Sequence, residues 1–461
     1  MMERKMTRRR VETVLLACLM TSFLSPLPVL AGADIRHELA ADASADRIEK
    51  DIRKLVSFGT RHTLSETQSE SRGIGAARRW IESEFRSISA DCGGCLEVLT
   101  VSDIVSGEKR IPEPTEVVNV IAIQRGELDT DRMVMMAGDI DSRVSDPMDA
   151  TSDSPGANDN ASGLAGVLEA ARVLSKHRFA GTIVYAALSG EEQGLFGGKI
   201  LAAYALENGW RIKAVLNNDM IGNISGIDGV TDNATARVFS EGTRYVETEQ
   251  EARTRRYSGG EVDSPSRNIA RYVDRMADEF IPNLDVMMIY RLDRFGRGGH
   301  HRPFNEAGMP GVRIMETHEQ YQRQHQDIRI EDGIAYGDVI EGVNFDYARK
   351  LTALNIVTLA GMASAPPFPA NVTIAGAVQP STTLSWHLAT GPAAENLAGY
   401  KVYWRLTTEP QWSFSRDVGK VDTYTLENVV IDNYLFGVAS VSTGGYESPV
   451  VFPGATGSFG E

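Results

Sequence analysis

Short apolar runs set between stretches of helical period constrain this chain more than any other feature. The runs, 117–123, 133–137, 183–188, 214–216 and 312–315, have the length and composition of strands. Around them, 44–57, 71–88, 161–175, 192–206 and 338–362 carry apolar residues at steps of three and four, as Ile74, Ala77, Ile81, Phe85 and Ile88 do in the second. Alternation of this kind buries both faces of a sheet. The chain therefore reads as α/β, a mostly parallel mixed sheet with helices on both faces. Ligands of such sheets bind beyond the carboxyl ends of the strands.

The 461 residues include 62 acidic and 47 basic side chains, for a formal charge of −15. An acidic chain with no basic stripe repels phosphate, so no nucleic acid partner is expected. An apolar fraction of 42% excludes general disorder, and 3 cysteines are too few for a disulfide scaffold. Arg8, Arg9 and Arg10 precede a short apolar stretch broken by Pro26 and Pro28 and closed by Ala31-Gly32-Ala33. This pattern describes a signal peptide, 1–33, and an exported protein, periplasmic or extracellular. Cleavage removes five basic and two acidic residues and leaves a charge of −18. No later segment is long and apolar enough to span a bilayer, so no stable membrane insertion is expected. Cys92 and Cys95 flank Gly93-Gly94; in an exported chain they read as a local disulfide, and in a reducing compartment as half a metal site.

The composition changes at Ala365-Pro366-Pro367-Phe368-Pro369-Ala370, which reads as a linker between 34–364 and 365–461. Beyond it, 383–387, 400–405, 423–426 and 434–441 alternate and are spaced by turns, as in a small all-β sandwich. Leu384-Ser385-Trp386, Gly399-Tyr400-Lys401-Val402-Tyr403-Trp404 and Asn433-Tyr434 resemble a fibronectin type III module. Polymer or cell-surface contact is the partner class such a module leaves open. Before the linker, 253–260 is polar and expected as loop, followed by a helix near 265–280.

Acidic residues recur where the strands should end. Asp139 and Asp141 follow one run, Asp159 precedes a helix, Glu191 and Glu192 follow another run, and Asp219 follows a third. Singly, each has an ordinary reading as a helix cap or turn. Together at one sheet edge they crowd negative charge that repels itself, and divalent metal removes that penalty. The adjacent Glu191-Glu192 suggests a base beside a ligand.

Several segments, in order, resemble the co-catalytic dizinc aminopeptidase family over about 44–362. They are Phe58-Gly59-Thr60-Arg61-His62, Val118-Asn119-Val120-Ile121-Ala122, Asn158-Asp159-Asn160, Gly190-Glu191-Glu192-Gln193-Gly194, Asn218-Asp219-Met220-Ile221-Gly222 and Gly298-Gly299-His300-His301-Arg302-Pro303-Phe304. The resemblance implies two divalent metal ions, zinc foremost, bridged by Asp159, with Glu192 and His325 at one and Asp219 at the other. It also implies Glu191 as general base, a cis peptide after Asp159, and peptide substrates with a free N-terminus.

Three positions depart from the pattern. Asp139 stands where the family carries a histidine ligand, which leaves Asp139, Asp159 and Asp219 as an all-oxygen site suited also to manganese, magnesium or calcium. His325 competes with Arg323, which occupies the position four residues before Asp327 where the family's histidine falls, and a surface histidine is the other reading of His325. His300 replaces an aspartate before His301. The expected activity is a secreted metallo-aminopeptidase. The alternatives are a glutaminyl-cyclase-like acyl transferase on the same scaffold and a non-catalytic adhesion or binding protein.

Overall fold

The apolar runs build one sheet, seen here in a computed structural model that describes residues 34–460; the expected signal peptide lies outside them. Its strands are β1 (Leu96–Val105), β2 (Thr115–Gln124), β3 (Asp129–Asp139), β4 (Gly181–Leu188), β5 (Arg211–Asn218), β6 (Thr235–Ser240), β7 (Asp285–Ile289) and β8 (Gly311–Glu316). They lie in the order β1-β2-β4-β3-β5-β8-β6-β7. The centre, β4-β3-β5-β8, is parallel, whereas β1, β2 and the β8–β6 junction pair antiparallel. The sheet is thus mixed with a parallel heart. Of its members, β1, β6 and β7 had no apolar run to announce them: the two edge strands, β1 and β7, are largely exposed or half-buried, and β6 mixes buried with half-buried positions.

Helices cover both faces. They are α1 (Arg36–Asp42), α2 (Ala45–Val56), α3 (Gly73–Asp91), α4 (Ala161–Leu174), α5 (Phe196–Glu207), α6 (Glu249–Ser258), α7 (Pro265–Phe280), α8 (His301–Glu306) and α9 (Phe345–Ser364). Successive β3 side chains point to opposite faces. Val134 and Met136 join the core beneath α2, α4 and α9, while Met133, Met135 and Ala137 pack with Leu201, Ala202 and Ala205 of α5.

Three boundaries differ from the periodic reading, each for a local reason. The helix expected from 192 begins at Phe196, because Gly190, Gly194 and Leu195 have positive φ and shape a turn first. The last helix begins at Phe345, where Asn344 accepts from the Tyr347 N–H; upstream, Asp338 is turned toward the 158–159 backbone. The segment expected as loop at 253–260 is instead largely helical. α6 is held by a Thr248–Glu251 capping box and buries no side chain, so it lacks the apolar stripe that announces a helix.

Close approach at two glycines sets the helix that carries the second acidic cluster. A Cβ on Gly138 would lie 2.8 Å from the Gly163 carbonyl carbon, and one on Gly163 would lie 2.2 Å from the Asn218 oxygen. Only glycine lets the start of α4 sit against the ends of β3 and β5. Asn160 then caps α4 by accepting from the Gly163 N–H and donates to the Asn218 oxygen.

After α9 the chain forms two three-stranded antiparallel sheets. One contains β11 (Ala370–Ala375), β12 (Thr382–His387) and β15 (Thr423–Leu426), the other β13 (Leu397–Leu406), β14 (Phe414–Gly419) and β16 (Tyr434–Ser442); β9 (Arg329–Glu331) and β10 (Ile334–Tyr336) form a separate hairpin. Cys92 and Cys95 are disulfide-bonded just after α3. Among the described residues no helix is long and apolar enough to cross a membrane.

The tail docks through buried charge. Asp263, fully buried, pairs with Arg271 of α7 at 3.0 Å and Arg405 of β13 at 2.7 Å. Arg275 pairs with Glu447 at 2.8 Å. Replacing Asp263 with alanine would strand two buried guanidinium groups. We expect Asp263→Ala to lower unfolding free energy by on the order of 3–5 kcal/mol in denaturant titrations, against about 0–1 for an exposed pair such as Arg302–Glu306.

Candidate metal centre

Where β3, β4 and β5 end, the acidic clusters meet in a cleft of about 580 Å³ bordered by Asp159, Glu191, Glu192, Asp219 and His325. A slightly larger cavity, about 660 Å³, lies beside α3 and holds none of these groups.

Asp159 sits in the turn before α4. Its N–H donates to Asp338 at 2.7 Å, and the Asp159–Asn160 peptide is cis. Glu191 and Glu192 project from the turn after β4. The two carboxylate oxygens of buried Asp141 hold that turn by accepting from the Glu191 and Glu192 N–H groups at 3.2 and 3.0 Å. His325 arrives on the loop after β8 in a left-handed conformation, φ 56°. A non-glycine residue is rarely held there without tertiary support.

These elements bring Asp159, Glu192 and His325 together. His325 Nε2 lies 2.9 Å from both Asp159 Oδ2 and Glu192 Oε1. One nitrogen and two carboxylate oxygens within 4.8 Å of one another are a donor set that fits zinc. Arg143 donates to Glu192 Oε2 at 2.7 Å and lies 2.7 Å from His325 Nδ1. A guanidinium only donates, so Nδ1 accepts and the ring proton sits on Nε2, between the two carboxylates. A metal at this point takes the place of that proton. Burial would raise the Asp159 carboxyl, but the His325 hydrogen bond, with the charges of Arg294 and Arg297, holds it below its ordinary value.

Asp139 and Asp219 lie outside this trio. Asp139 Oδ1 is 2.6 Å from His300 Nδ1, and its Oδ2 accepts from Asn160 at 2.8 Å. Asp219 Oδ2 pairs with Arg313 at 2.7 Å. Glu191 differs from all of them: its carboxylate has neither a hydrogen bond nor an ion pair among the described residues. Burial, then the charges of Asp219, Glu192 and Asp139, push its proton affinity well above the ordinary range. A carboxylate so placed suits proton transfer.

Sequence reading missed Arg313 and Asp338. An arginine inside an apolar strand is itself a signal, since a buried guanidinium needs carboxylate partners. Arg143 was visible two residues after Asp141, but nothing local showed that it reaches Glu192.

The chain belongs to peptidase family M28: residues 119–335 match the family described as Peptidase family M28. It is 44% identical over 416 residues to a "Probable zinc metalloprotease" of Leptosphaeria maculans, covering 90% of this chain and 96% of that one. A "Probable zinc metalloprotease" of Pyrenophora teres f. teres is 43% identical over 91% of this chain and 87% of its own. The fold is shared with the LapA aminopeptidase of Legionella pneumophila, at 18% identity, 71% of this chain, 74% of that chain and a TM-score of 0.50. LapB from the same organism gives 17%, 71%, 74% and 0.51. The protein is a zinc metallopeptidase.

Behind the trio, Glu316 at the end of β8 accepts from Asn158 Nδ2 and the Asn223 N–H, each at 2.9 Å. Burial pushes its carboxyl from 4.5 up to about 8. Between those values the folded state binds the extra proton, so this group makes stability fall as pH rises. We expect Glu316→Gln to make the fall from pH 5 to 8 shallower by up to about 1.4 kcal/mol per pH unit, read from unfolding free energies of the two proteins across that range.

Proposed function

We propose that this zinc metallopeptidase is an exported aminopeptidase that removes N-terminal residues from peptides. The observation that carries the reading is the unpaired Glu191 carboxylate beside the converged Asp159, Glu192 and His325. A binding protein has no use for a half-buried, free base next to a ligand set.

Asp159, Glu192 and His325 would hold a zinc in this reading, and Asp139 and Asp219, with Asp159, would hold a second divalent ion. Zinc, when bound, supplies a Lewis acid that polarises the scissile carbonyl and acidifies water. Glu191 takes a proton from the attacking water as its oxygen forms the new bond to the carbonyl carbon. The same carboxyl then gives that proton to the departing amine as the C–N bond breaks, so Glu191 ends as it began. Asp141 keeps the Glu191-Glu192 turn in place, and Arg143 fixes the second oxygen of Glu192 so that the first faces the trio. We assign 1–33 to a signal peptide, 34–364 to the peptidase domain and 365–461 to a fibronectin type III-like module.

Glu191→Gln tests the assignment. We expect the variant to keep its zinc by elemental analysis while release of N-terminal residues from aminoacyl chromogenic substrates falls by about 10²–10⁴-fold. Full activity with zinc retained removes Glu191 from the mechanism.

A further inference from the structure

Arg313 is among the largest fully buried side chains, and it reaches the metal centre from the sheet itself. It lies on β8, in register with Asn217 of β5. Four contacts fix its guanidinium. Nη1 donates to the Gly298 carbonyl at 2.9 Å and pairs with Asp293 at 3.1 Å; Nη2 donates to the Asp219 carbonyl at 3.1 Å and pairs with the Asp219 carboxylate at 2.7 Å. Gly299 packs against it so closely that a Cβ there would lie 3.1 Å from Nη1. The charge on Asp219 is therefore already partly offset by a cation, shared with Asp293, that has nowhere to go.

Asp139 is also engaged. Each of its carboxylate oxygens meets a protein donor, His300 on one side and Asn160 on the other. The trio is engaged differently. Asp159 Oδ2, Glu192 Oε1 and His325 Nε2 converge on one point where a cation displaces only a proton, and Arg143 holds the outer atoms, Glu192 Oε2 and His325 Nδ1. A dication among Asp139, Asp159 and Asp219 has to compete with two hydrogen bonds to Asp139 and sit beside a fixed, buried positive charge. Like charges in a water-poor site repel strongly.

We infer that Arg313 acts as a built-in counter-cation of the second metal position, so that the centre loads unequally: one zinc tightly at Asp159, Glu192 and His325, and a second cation only weakly against the guanidinium. This rests on the ligand sets proposed above.

Zinc titration of the metal-stripped full-length protein, followed by calorimetry and by elemental analysis after dialysis at fixed free zinc, tests it. The wild type should give two classes of site whose affinities differ by at least about 100-fold, and retain one equivalent when free zinc is held between them. Arg313→Met removes the charge and keeps an apolar side chain; it should tighten the second class by at least about 10-fold and leave the first unchanged. Asp219→Asn should abolish the weak class alone, which keeps the test sound if Arg313→Met does not fold. Two equal sites in the wild type, or an Arg313→Met second site no tighter than before, overturn the inference while the zinc peptidase reading stands. Absence of any tight zinc overturns both.

Discussion

Mutual repulsion among buried and half-buried carboxylates is the constraint around which the molecule is organised. Asp139, Asp141, Asp159, Glu191, Glu192 and Asp219 arrive at one sheet edge from β3, from the turn before α4, from the turn after β4 and from the end of β5. Such a collection survives in a folded protein only where its negative charges meet donors or cations or take up protons. The chain supplies them unevenly. Asp141 is absorbed by two backbone N–H groups, Asp139 by His300 and Asn160, and Asp219 by Arg313. Asp159 and Glu192 share one imidazole nitrogen, and Glu191 has no partner. The uneven supply is what separates scaffold from chemistry.

The scaffold that enforces the crowding is stiff. β3, β4 and β5 are buried through most of their length, and α4 is pressed against their ends by Gly138 and Gly163. Buried ion pairs of Asp263 fasten the C-terminal sheets to α7 on another side of the domain. These pairs contribute little to net stability relative to an apolar contact, but breaking one is costly, and they fix how the tail sits.

Most of the candidate site was legible because carboxylates placed after strands survive as local sequence signals. Asp159, Glu192 and Glu191 could be read from short segments, and the strands that carry them from apolar runs. His325 could not be placed from spacing alone, since Arg323 competed for its role; the fold settles its position by carrying Nε2 to Asp159 and Glu192, while Arg323 turns to Asn223 and Gly342. What the pattern of residues hid was the partner of each acid. Arg313 is 94 residues from Asp219, and His300 is 161 from Asp139. Pairings at such separations exist only once the sheet order is known. The exposed helix α6 was hidden for the opposite reason, because a helix that buries nothing leaves no periodic trace.

The central claim is that Asp159, Glu192 and His325 form the tight zinc site, and the environment of the metal itself tests it most directly. X-ray absorption at the zinc edge, on protein holding one equivalent, should show a shell of nitrogen and oxygen with a single imidazole and no sulfur. That imidazole signal should vanish in His325→Ala. A shell with two or more imidazoles, or one unchanged by the substitution, would contradict the account.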